Sequence, residues 1–289
     1  MTAHQAIIHI GIDPVVHIGG LAIHWYGVCY AVAFWAAWRY AASPYLTSRG
    51  VSQAVIDRIL FAAIVVGLIG ARLYYDVQNT GLIHNPIDVI AVWNGGMDFF
   101  GAILAVFTAM VLLARRHRVS YWLLIDAAAL FAVLGQPIGR IGNIINGDIL
   151  GSQSSLPWAT AYTNPNAVLQ PGFHLCDPNG VCPAYQPAAV YEIIGTLLIG
   201  LLLIVLLRRG VRPGVLGITF VAAYAASHMV IFALRESEPA VLWGLKQSQW
   251  TSIGLLVVAV PLLVVLWRRF PPADKRSPVD APREVVVAG

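Results

Sequence analysis

Charged residues are scarce in this chain of 289 residues. Asp, Glu, Lys and Arg together make up 11% of the sequence, 58% of it is hydrophobic, and the mean hydropathy is +0.72. A soluble globular domain contains about a quarter charged residues. The shortage excludes an ordinary soluble domain and predicts an integral membrane protein, and the net charge of +4 gives no sign of a nucleic-acid partner.

Lysine and arginine are missing from one set of segments between the apolar runs. Neither precedes Arg39, and neither occurs from Asp148 through Tyr191. Basic residues cluster instead in the other connections, at positions 39–58, 114–118, 207–214 and 267–276. Because connections rich in Lys and Arg stay in the cytoplasm, the sequence predicts an N-terminus outside and a C-terminus inside.

Seven apolar runs are near the length of a membrane-spanning helix, which needs about 20 residues. They cover positions 22–42, 57–77, 90–113, 121–141, 189–207, 214–234 and 249–267. The predicted fold is an all-α polytopic membrane protein with seven transmembrane helices and a small extracytoplasmic head, residues 149–188, between helices 4 and 5. The membrane domain is predicted to cover 1–269, and the Pro-rich, charged residues 270–289 to form a disordered cytoplasmic tail.

Cysteine is also rare, with three residues in the chain. Cys29 lies inside the first apolar run, where a small buried hydrophobe is expected. Cys176 and Cys182 flank an Asp-Pro-Asn-Gly turn in the predicted head. An outside location favours a disulfide between them, and a metal site with His174 is the less favoured alternative.

The fourth apolar run ends in a polar stretch, LGQPIGRIGNIINGDILG. On a helix, Arg140, Asn143 and Gly147 fall on one face. Three further glycines share a side that lets another helix or a ligand approach the backbone: Gly135, Gly139 and Gly142. Two interpretations stay open. The stretch is a phosphate-binding site, since a guanidinium suits phosphate, or it is a glycine-packed helix whose arginine extends to the outer interface.

Ionisable residues inside a membrane span cost about 2.5–3.5 kcal/mol each, so they mark paired or water-lined sites. Arg72, Arg140 and Arg235 all lie toward the predicted outer ends of their spans, at the depth of a lipid head group. This grouping is the main indication of a lipid site. Arg72 lies one turn from Asp76, a spacing that suits a structural ion pair.

Three other polar residues in the predicted spans have more than one interpretation. Tyr26 lies at the outer end of the first span, where an interfacial aromatic belt explains it better than a catalytic role. Glu192 is expected to be buried among helices. His228 is either a packed, neutral core residue or a functional one.

The segment GRIGNIINGD resembles the signature of the prolipoprotein diacylglyceryl transferase family, Gly-Arg-x-Gly-Asn-Phe-x-Asn-x-Glu. The motifs IHWYG, GARLYY, NGGM and QPAAVYE also occur in the family's order. The resemblance implies transfer of a diacylglyceryl group from phosphatidylglycerol to the lipobox cysteine thiol of prolipoproteins, the first step of bacterial lipoprotein maturation. It further implies a multi-pass protein of the bacterial inner membrane, with its active site towards the outer leaflet and with no metal or organic cofactor. Its partners would be phosphatidylglycerol, a prolipoprotein lipobox peptide and the bilayer.

The resemblance also implies which residues act. Arg140 would bind the lipid phosphate, Asn143 and Asn146 would order the head group, and Gly151 would allow its close approach. The expected substrate-binding residues are Arg140, Asn143, Asn146, Asp148, Gly151 and Arg235. The expected catalytic residues are Arg140, Tyr26 and His228. Glu192 and Arg72 match family positions and are expected to serve as scaffold.

The chain departs from the family pattern at several positions. Phe100 stands where the family commonly has a histidine, and Gln186 stands where another histidine is usual. His228 and Phe232 replace an arginine and a glutamate, and Asp148 replaces the signature glutamate. The first change removes the family's favoured general base.

Three hypotheses follow from these departures. In the first, catalysis persists, and His228 or a thiol activated by the cationic site replaces the lost base, whose absence alone costs about 10² to 10⁴ in rate. In the second, the chain is a weakly active relative that binds phospholipid but uses another acceptor. The third, a transporter or sensor, is disfavoured because the cytoplasmic halves of the spans are almost purely apolar.

Overall fold

The computed structural model describes residues 8–82, 85, 87–89, 96–177, 181–235 and 240–269. Eight α-helices form most of the described chain. They are α1 (Trp25–Ala37), α2 (Ser43–Thr47), α3 (Gln53–Gln78), α4 (Phe99–His117), α5 (Tyr121–Asn146), α6 (Ala188–Arg208), α7 (Val215–Leu234) and α8 (Gln247–Arg269). The predicted tail, residues 270–289, lies outside the described residues, so its disorder and the domain boundary at 269 stay predictions.

Six short strands in two-stranded pairs accompany the helices in the described part of the chain, and they were not predicted. The strands are β1 (Ile8–Ile10), β2 (Val15–Ile18), β3 (Leu21–His24), β4 (Thr160–Tyr162), β5 (Ala240–Leu242) and β6 (Leu245–Lys246). β1 pairs with β4 in parallel, and the other two pairs are antiparallel hairpins. The predicted helical architecture is confirmed, with these small extended pieces added to it.

Within the described ranges, six helices are long and apolar enough to cross a membrane: α3, most of α4, α5, α6, α7 and most of α8. The first predicted span, 22–42, overlaps a continuous helical run, in which α1 passes through a π-helical turn, Trp38–Ala42, into α2. The run begins three residues later than predicted, because positions 22–24 belong to β3, and it continues to Thr47. The third span was predicted to begin at position 90, which is wrong for residues 96–98, since α4 begins only at Phe99. Asp98 caps α4 by accepting a hydrogen bond from the Phe100 backbone N–H at 2.8 Å.

The described residues form two compact units, 8–42 with 128–269, and 43–127. In the first unit the glycines of α5 pack against α1, as expected for a close helix pair. A Cβ added at Gly142 would lie 3.0 Å from the Cys29 Cβ and 3.1 Å from the Tyr26 Cα. A Cβ at Gly139 would lie 3.5 Å from the Tyr30 ring. The predicted glycine-lined side of α5 is therefore occupied by another helix.

The segment predicted as the head folds around its own small core in the first unit. Strand β4 lies between β1 and an isolated bridge to Tyr185, and Tyr162 and Leu150 pack beside Tyr185. The predicted disulfide between Cys176 and Cys182 is confirmed. It packs against three buried alanines, Ala159, Ala161 and Ala184.

In the second unit α3 and α4 meet at two glycines. A Cβ added at Gly70 would lie 2.7 Å from the Gly101 carbonyl oxygen, so neither position has room for a side chain. The predicted ion pair is confirmed, with Arg72 Nε 3.1 Å from Asp76 Oδ1. The same guanidinium donates to the Gly96 carbonyl at 3.0 Å, which joins α3 to the segment before α4.

One buried carboxylate in the second unit was missed. Asp126, fully buried in α5, accepts a hydrogen bond from the Tyr45 hydroxyl at 2.9 Å. Arg49 lies 5.0 Å from the centre of the Tyr45 ring. The predicted cytoplasmic side is therefore not purely apolar. Asp126 has a local partner on the connection after α1, which suits a structural role better than a conducting path.

Candidate functional site

The C-terminal end of α5 provides the first part of the site. Arg140 Nη1 donates to Asn143 Oδ1 at 3.2 Å, and Asn143 Nδ2 lies 3.1 Å from both carboxylate oxygens of Asp148. The helix ends at Asn146, and Gly147 adopts a left-handed φ of +83° that turns the chain back so that Asp148 reaches Asn143. The signature residues thus form one hydrogen-bonded chain, in which Asn143 is 2% exposed.

Helix α6 brings a carboxylate to the same place. Glu192 lies 2.5 Å from Arg140 Nε and is 3% exposed. The predicted burial of Glu192 among helices is confirmed, and the structure adds its contact with the central arginine, Arg140. A carboxylate in an otherwise apolar helix was the signal for this position, because a buried charge needs a partner.

Helix α7 ends at the other side of Glu192. Arg235 Nη1 lies 3.9 Å from Glu192 Oε1, a long ion pair, and its guanidinium lies 4.8 Å from the centre of the Phe232 ring. The residue is 9% exposed, and Arg235 Nε has no hydrogen-bond partner among the described residues. A buried donor without a partner is costly, so Arg235 is suited to receive an anionic ligand.

Lys246 fixes the end of α7. Its ammonium donates to the Phe232 carbonyl at 2.8 Å and also to the Arg235 carbonyl. These carbonyls lie at the C-terminal end of the helix, where a cation is favourable. This contact was not predicted, because nothing local in the sequence relates position 246 to position 235.

A partly buried relay of hydrogen-bonded side chains joins α5, α6 and α7 near Arg140. Thr196 of α6 donates to Gln136 Oε1 at 3.3 Å, and Gln136 Nε2 donates to the Tyr224 hydroxyl of α7 at 2.9 Å. The Tyr224 hydroxyl also lies in hydrogen-bonding range of Arg140. Gln136 lies one turn before Arg140 on α5, so the relay restricts where the guanidinium points.

His228 lies on the same side of α7 as Tyr224. Its ring centre is 3.9 Å from that of Tyr224 and 5.0 Å from that of Phe232. The imidazole is close enough to Arg140 and Arg235 to interact with their positive charges. His228 Nδ1 has no hydrogen-bond partner among the described residues. The imidazole therefore lies at the site, with Nδ1 buried.

Tyr26 begins α1 beside the glycine face of α5. Its ring centre is 4.6 Å from that of Tyr30. Its hydroxyl is close enough to Arg140 and Asp148 to interact with their charges. The ring is more than a third exposed. The structure brings Tyr26 to the edge of the arginine cluster, and its catalytic role stays a prediction.

The two remaining predicted residues have backbone roles. The Asn146 carbonyl accepts from the Val168 N–H at 2.8 Å. A Cβ added at Gly151 would lie 2.9 Å from the Gln186 Cβ and 3.0 Å from the Leu234 carbonyl oxygen. Protein backbone therefore explains the glycine at 151, and its predicted approach to a lipid head group stays a prediction.

The head is joined to the site through a tyrosine. The Tyr162 hydroxyl donates to the Ile144 carbonyl at 2.7 Å, next to Asn143. Burial, together with the nearby Asp148 carboxylate, raises the pKa of Tyr162. The hydroxyl therefore stays protonated and keeps donating to the end of α5.

One group of potential metal ligands lies together in the described part of the chain. His9, Cys176 and Cys182 have ligand atoms within 4.8 Å of one another. The two sulfurs form the disulfide, so this group offers no thiolate to a metal ion. The two cysteines lie in the head and His9 lies in β1, and the group shares no residue with the arginine cluster.

Positive charge exceeds negative charge among the described residues of the site. Arg140, Arg235 and Lys246 lie together with the carboxylates of Glu192 and Asp148. Planar guanidiniums bind phosphate oxygens, and the attraction between opposite charges is stronger where water is excluded. The arrangement can bind a phosphate group and stabilise charge that develops on it.

Comparison with known proteins agrees with this chemistry. The model of the prolipoprotein diacylglyceryl transferase family matches residues 14–265. The phosphatidylglycerol–prolipoprotein diacylglyceryl transferase of Agrobacterium fabrum is 34% identical over 275 residues, which cover 89% of this chain and 90% of that protein. The enzyme of the same name from Methylobacillus flagellatus is 30% identical and covers 91% of this chain and 100% of its own length. The chain therefore belongs to the prolipoprotein diacylglyceryl transferase family.

Proposed function

We propose that the protein transfers a diacylglyceryl group from phosphatidylglycerol to the lipobox cysteine thiol of prolipoproteins. The observation that supports this best is the meeting of Arg140 and Arg235 on the single carboxylate of Glu192, within apolar helices. A membrane-embedded site with excess positive charge suits an anionic lipid head group. The relatives' names supply the identity of the lipid and of the acceptor.

The reaction forms one bond and breaks one. The thiolate sulfur attacks the glycerol carbon of the diacylglyceryl group, a carbon–sulfur bond forms, and the bond from that carbon to the phosphate oxygen breaks. Glycerol-1-phosphate leaves with the electron pair. The thiol proton passes to a base, so the site needs a cation for the leaving phosphate and a proton acceptor for the sulfur.

Arg140 and Arg235 are suited to the leaving phosphate. The resemblance places a glutamate at position 232, where this chain has Phe232 stacked on the Arg235 guanidinium. Arg235 Nη1 lies 3.9 Å from Glu192 Oε1, which is too far for a hydrogen bond between these two atoms. We expect both guanidiniums to bind the phosphate, with Asn143 and Asp148 fixing the position of Arg140.

His228 is the residue that we assign as proton acceptor. Its imidazole lies near the two arginines, and a neutral imidazole is a common general base. Tyr26 lies at the edge of the same cluster, where its hydroxyl can hold the acceptor sulfur or the head group. In this proposal His228 of α7 takes the role of the general base that the family commonly has as a histidine at position 100, where this chain has Phe100 in α4.

The proposed setting is the bacterial inner membrane. We expect seven spans, counting the helical run of α1 and α2, with the N-terminus outside and the arginine cluster in the outer leaflet. The basic connections at the opposite ends of the helices support this topology. The head, 149–188, covers the site on that side. The lipid enters sideways from the bilayer, and the acceptor peptide approaches from the head.

The test is complementation of a bacterium depleted of its own transferase. We expect this chain to restore growth and to give the lipoprotein thioether, detected by mass spectrometry. Purified protein should transfer label from phosphatidylglycerol, but not from phosphatidylethanolamine, to a lipobox peptide. Absence of product from correctly inserted protein would overturn the proposal and favour a phospholipid-binding relative with another acceptor.

Substitution of His228 tests its role as base. His228→Gln should lower the transfer rate by about 10²–10⁴-fold, the usual contribution of one proton-transfer group. The remaining activity should rise with pH, because hydroxide then takes the proton from the thiol. His117, at the end of α4, is the matched control, and His117→Gln should leave the rate unchanged. An unchanged pH profile in His228→Gln would contradict the assignment.

A further inference from the structure

We propose that the hairpin between α7 and α8 inserts into the lipid interface on the outer side of the membrane. Its strands β5 and β6 flank a two-residue turn, Trp243-Gly244, across which Leu242 pairs with Leu245. Residues 240–245, AVLWGL, contain no ionisable side chain. The insertion goes beyond the transfer reaction, and only the side of the membrane rests on the proposed function.

The tip of the hairpin is apolar and exposed. Trp243 is 82% exposed, Val241 65% and Leu242 52%, and these residues are consecutive. Contiguous exposed apolar residues of this size mark a contact with a membrane or a protein. A single exposed side chain would need no such explanation.

The turn holds a bulky side chain in an unfavourable backbone conformation. Trp243 has φ +50° and Gly244 has φ +75°, which is typical of a type I′ turn. The first position of this turn usually holds Asn, Asp or Gly, because left-handed backbone is strained for bulky residues. Such an outlier at an exposed tip points to a function for the side chain.

The direction of the tip is fixed by a second tryptophan. Trp250 lies with its ring centre 5.4 Å from that of Trp243, and its indole N–H donates to the Leu242 carbonyl at 3.2 Å. Trp250 lies in the first turn of α8. The hairpin is therefore attached to the helix that follows it.

The membrane is the occupant that this position favours. Helix α8 begins at Gln247, directly after β6, and Gln247–Arg268 is long and apolar enough to span a bilayer. Trp243 is thus four residues from the start of a span, at the depth where tryptophans are enriched. The one cation of the hairpin, Lys246, is directed to the carbonyls of Phe232 and Arg235, away from the tip.

Insertion would also bear on the arginine cluster. Lys246 of the hairpin donates a hydrogen bond to the Arg235 carbonyl. The depth of the hairpin in the membrane therefore affects the position of Arg235. The hairpin is then an anchor that keeps the end of α7 level with the lipid head groups.

A fluorescent label at the tip tests this proposal. Val241→Cys in a Cys29→Ser background is labelled with nitrobenzoxadiazole without reduction, so that the disulfide stays closed, and is reconstituted in vesicles of phosphatidylcholine and phosphatidylglycerol. Val168→Cys in the same background is the matched control, since Val168 is an exposed valine, 53%, in a loop of the head. Quenching is measured with lipids that carry a nitroxide in the head group or near the top of the acyl chain.

We expect the label at position 241 to be quenched severalfold more than the label at 168 and to emit at shorter wavelength. Trp243→Asp should remove this difference, because a charged side chain does not stay in the interface. Equal quenching at both positions would overturn the proposal. So would a blue shift at 241 that appears only after a lipobox signal peptide is added, which would assign the tip to the acceptor. The readout needs no transfer, so it is independent of the proposed activity.

Discussion

Arg140→Gln is expected to reduce diacylglyceryl transfer by about 10³–10⁵-fold, which is what a single arginine contributes when it stabilises a leaving or transferred phosphate. Arg140 contacts Glu192 at 2.5 Å and Asn143 at 3.2 Å, so it is held before the lipid arrives. A preorganised donor loses little free energy to reorientation in the transition state. The rate is measured with labelled phosphatidylglycerol and a lipobox peptide.

Two further variants separate loss of chemistry from loss of fold. Arg140→Gln alone leaves the Glu192 carboxylate buried with only the distant Arg235, whereas Arg140→Gln with Glu192→Gln replaces the pair by two neutral amides. The double variant should recover thermal stability and remain inactive. Arg39→Gln, at an exposed arginine in the π-helical turn, should behave as wild type. Activity retained by Arg140→Gln would remove Arg140 from the phosphate site.

The helices could be predicted because each follows from a local property. The predicted span at 189–207 differs by one residue at each end from α6, and the span at 214–234 differs by one residue from α7. Helix α5 continues five residues beyond its apolar run, through the polar end of the signature, because Gly142 packs on α1 and Asn143 is bonded to Arg140 and Asp148. Tertiary contacts here outweigh the loss of apolar character.

The strands could be predicted only in part. The pairing of β1 with β4 joins residues about 150 positions apart, and no local pattern indicates it. The hairpin of β2 and β3 did have a signal, since VVHI and LAIH flank a Gly-Gly turn. The start of α4 had one too, because Asp98 precedes the apolar run as an N-cap residue.

The site shows the same division. The chain from Arg140 through Asn143 to Asp148 lies within nine residues and follows from helical spacing and one glycine turn. The contact of Glu192 with Arg140 joins α6 to α5, and that of Lys246 with Arg235 joins the hairpin to α7. The sequence indicated that the buried charges needed partners, but not which residues these were.

Glu192→Leu is expected to destabilise the protein by about 3–5 kcal/mol, the usual cost of removing one partner from a buried ion pair. Two guanidiniums, Arg140 and Arg235, then lie among apolar helices without their shared carboxylate. Glu192→Gln should cost less, since the amide oxygen still accepts from Arg140. The measurement is the midpoint of thermal unfolding in detergent, with Asp57→Asn, an exposed carboxylate of α3, as a control within about 0.5 kcal/mol of wild type.

Phosphatidylglycerol should reverse part of this loss, and the reversal distinguishes a site from a scaffold. If the lipid phosphate neutralises the arginine charge that Glu192 otherwise neutralises, added phosphatidylglycerol should raise the unfolding midpoint of Glu192→Leu more than that of wild type. A ligand that binds the folded state more tightly stabilises it more. A neutral lipid should raise neither. Equal responses of variant and wild type would mean that the carboxylate and the phosphate do not share the arginines. Glu192 would then be scaffold alone, as its place in an apolar helix first indicated, and the phosphate would be held by Arg140 or Arg235 separately.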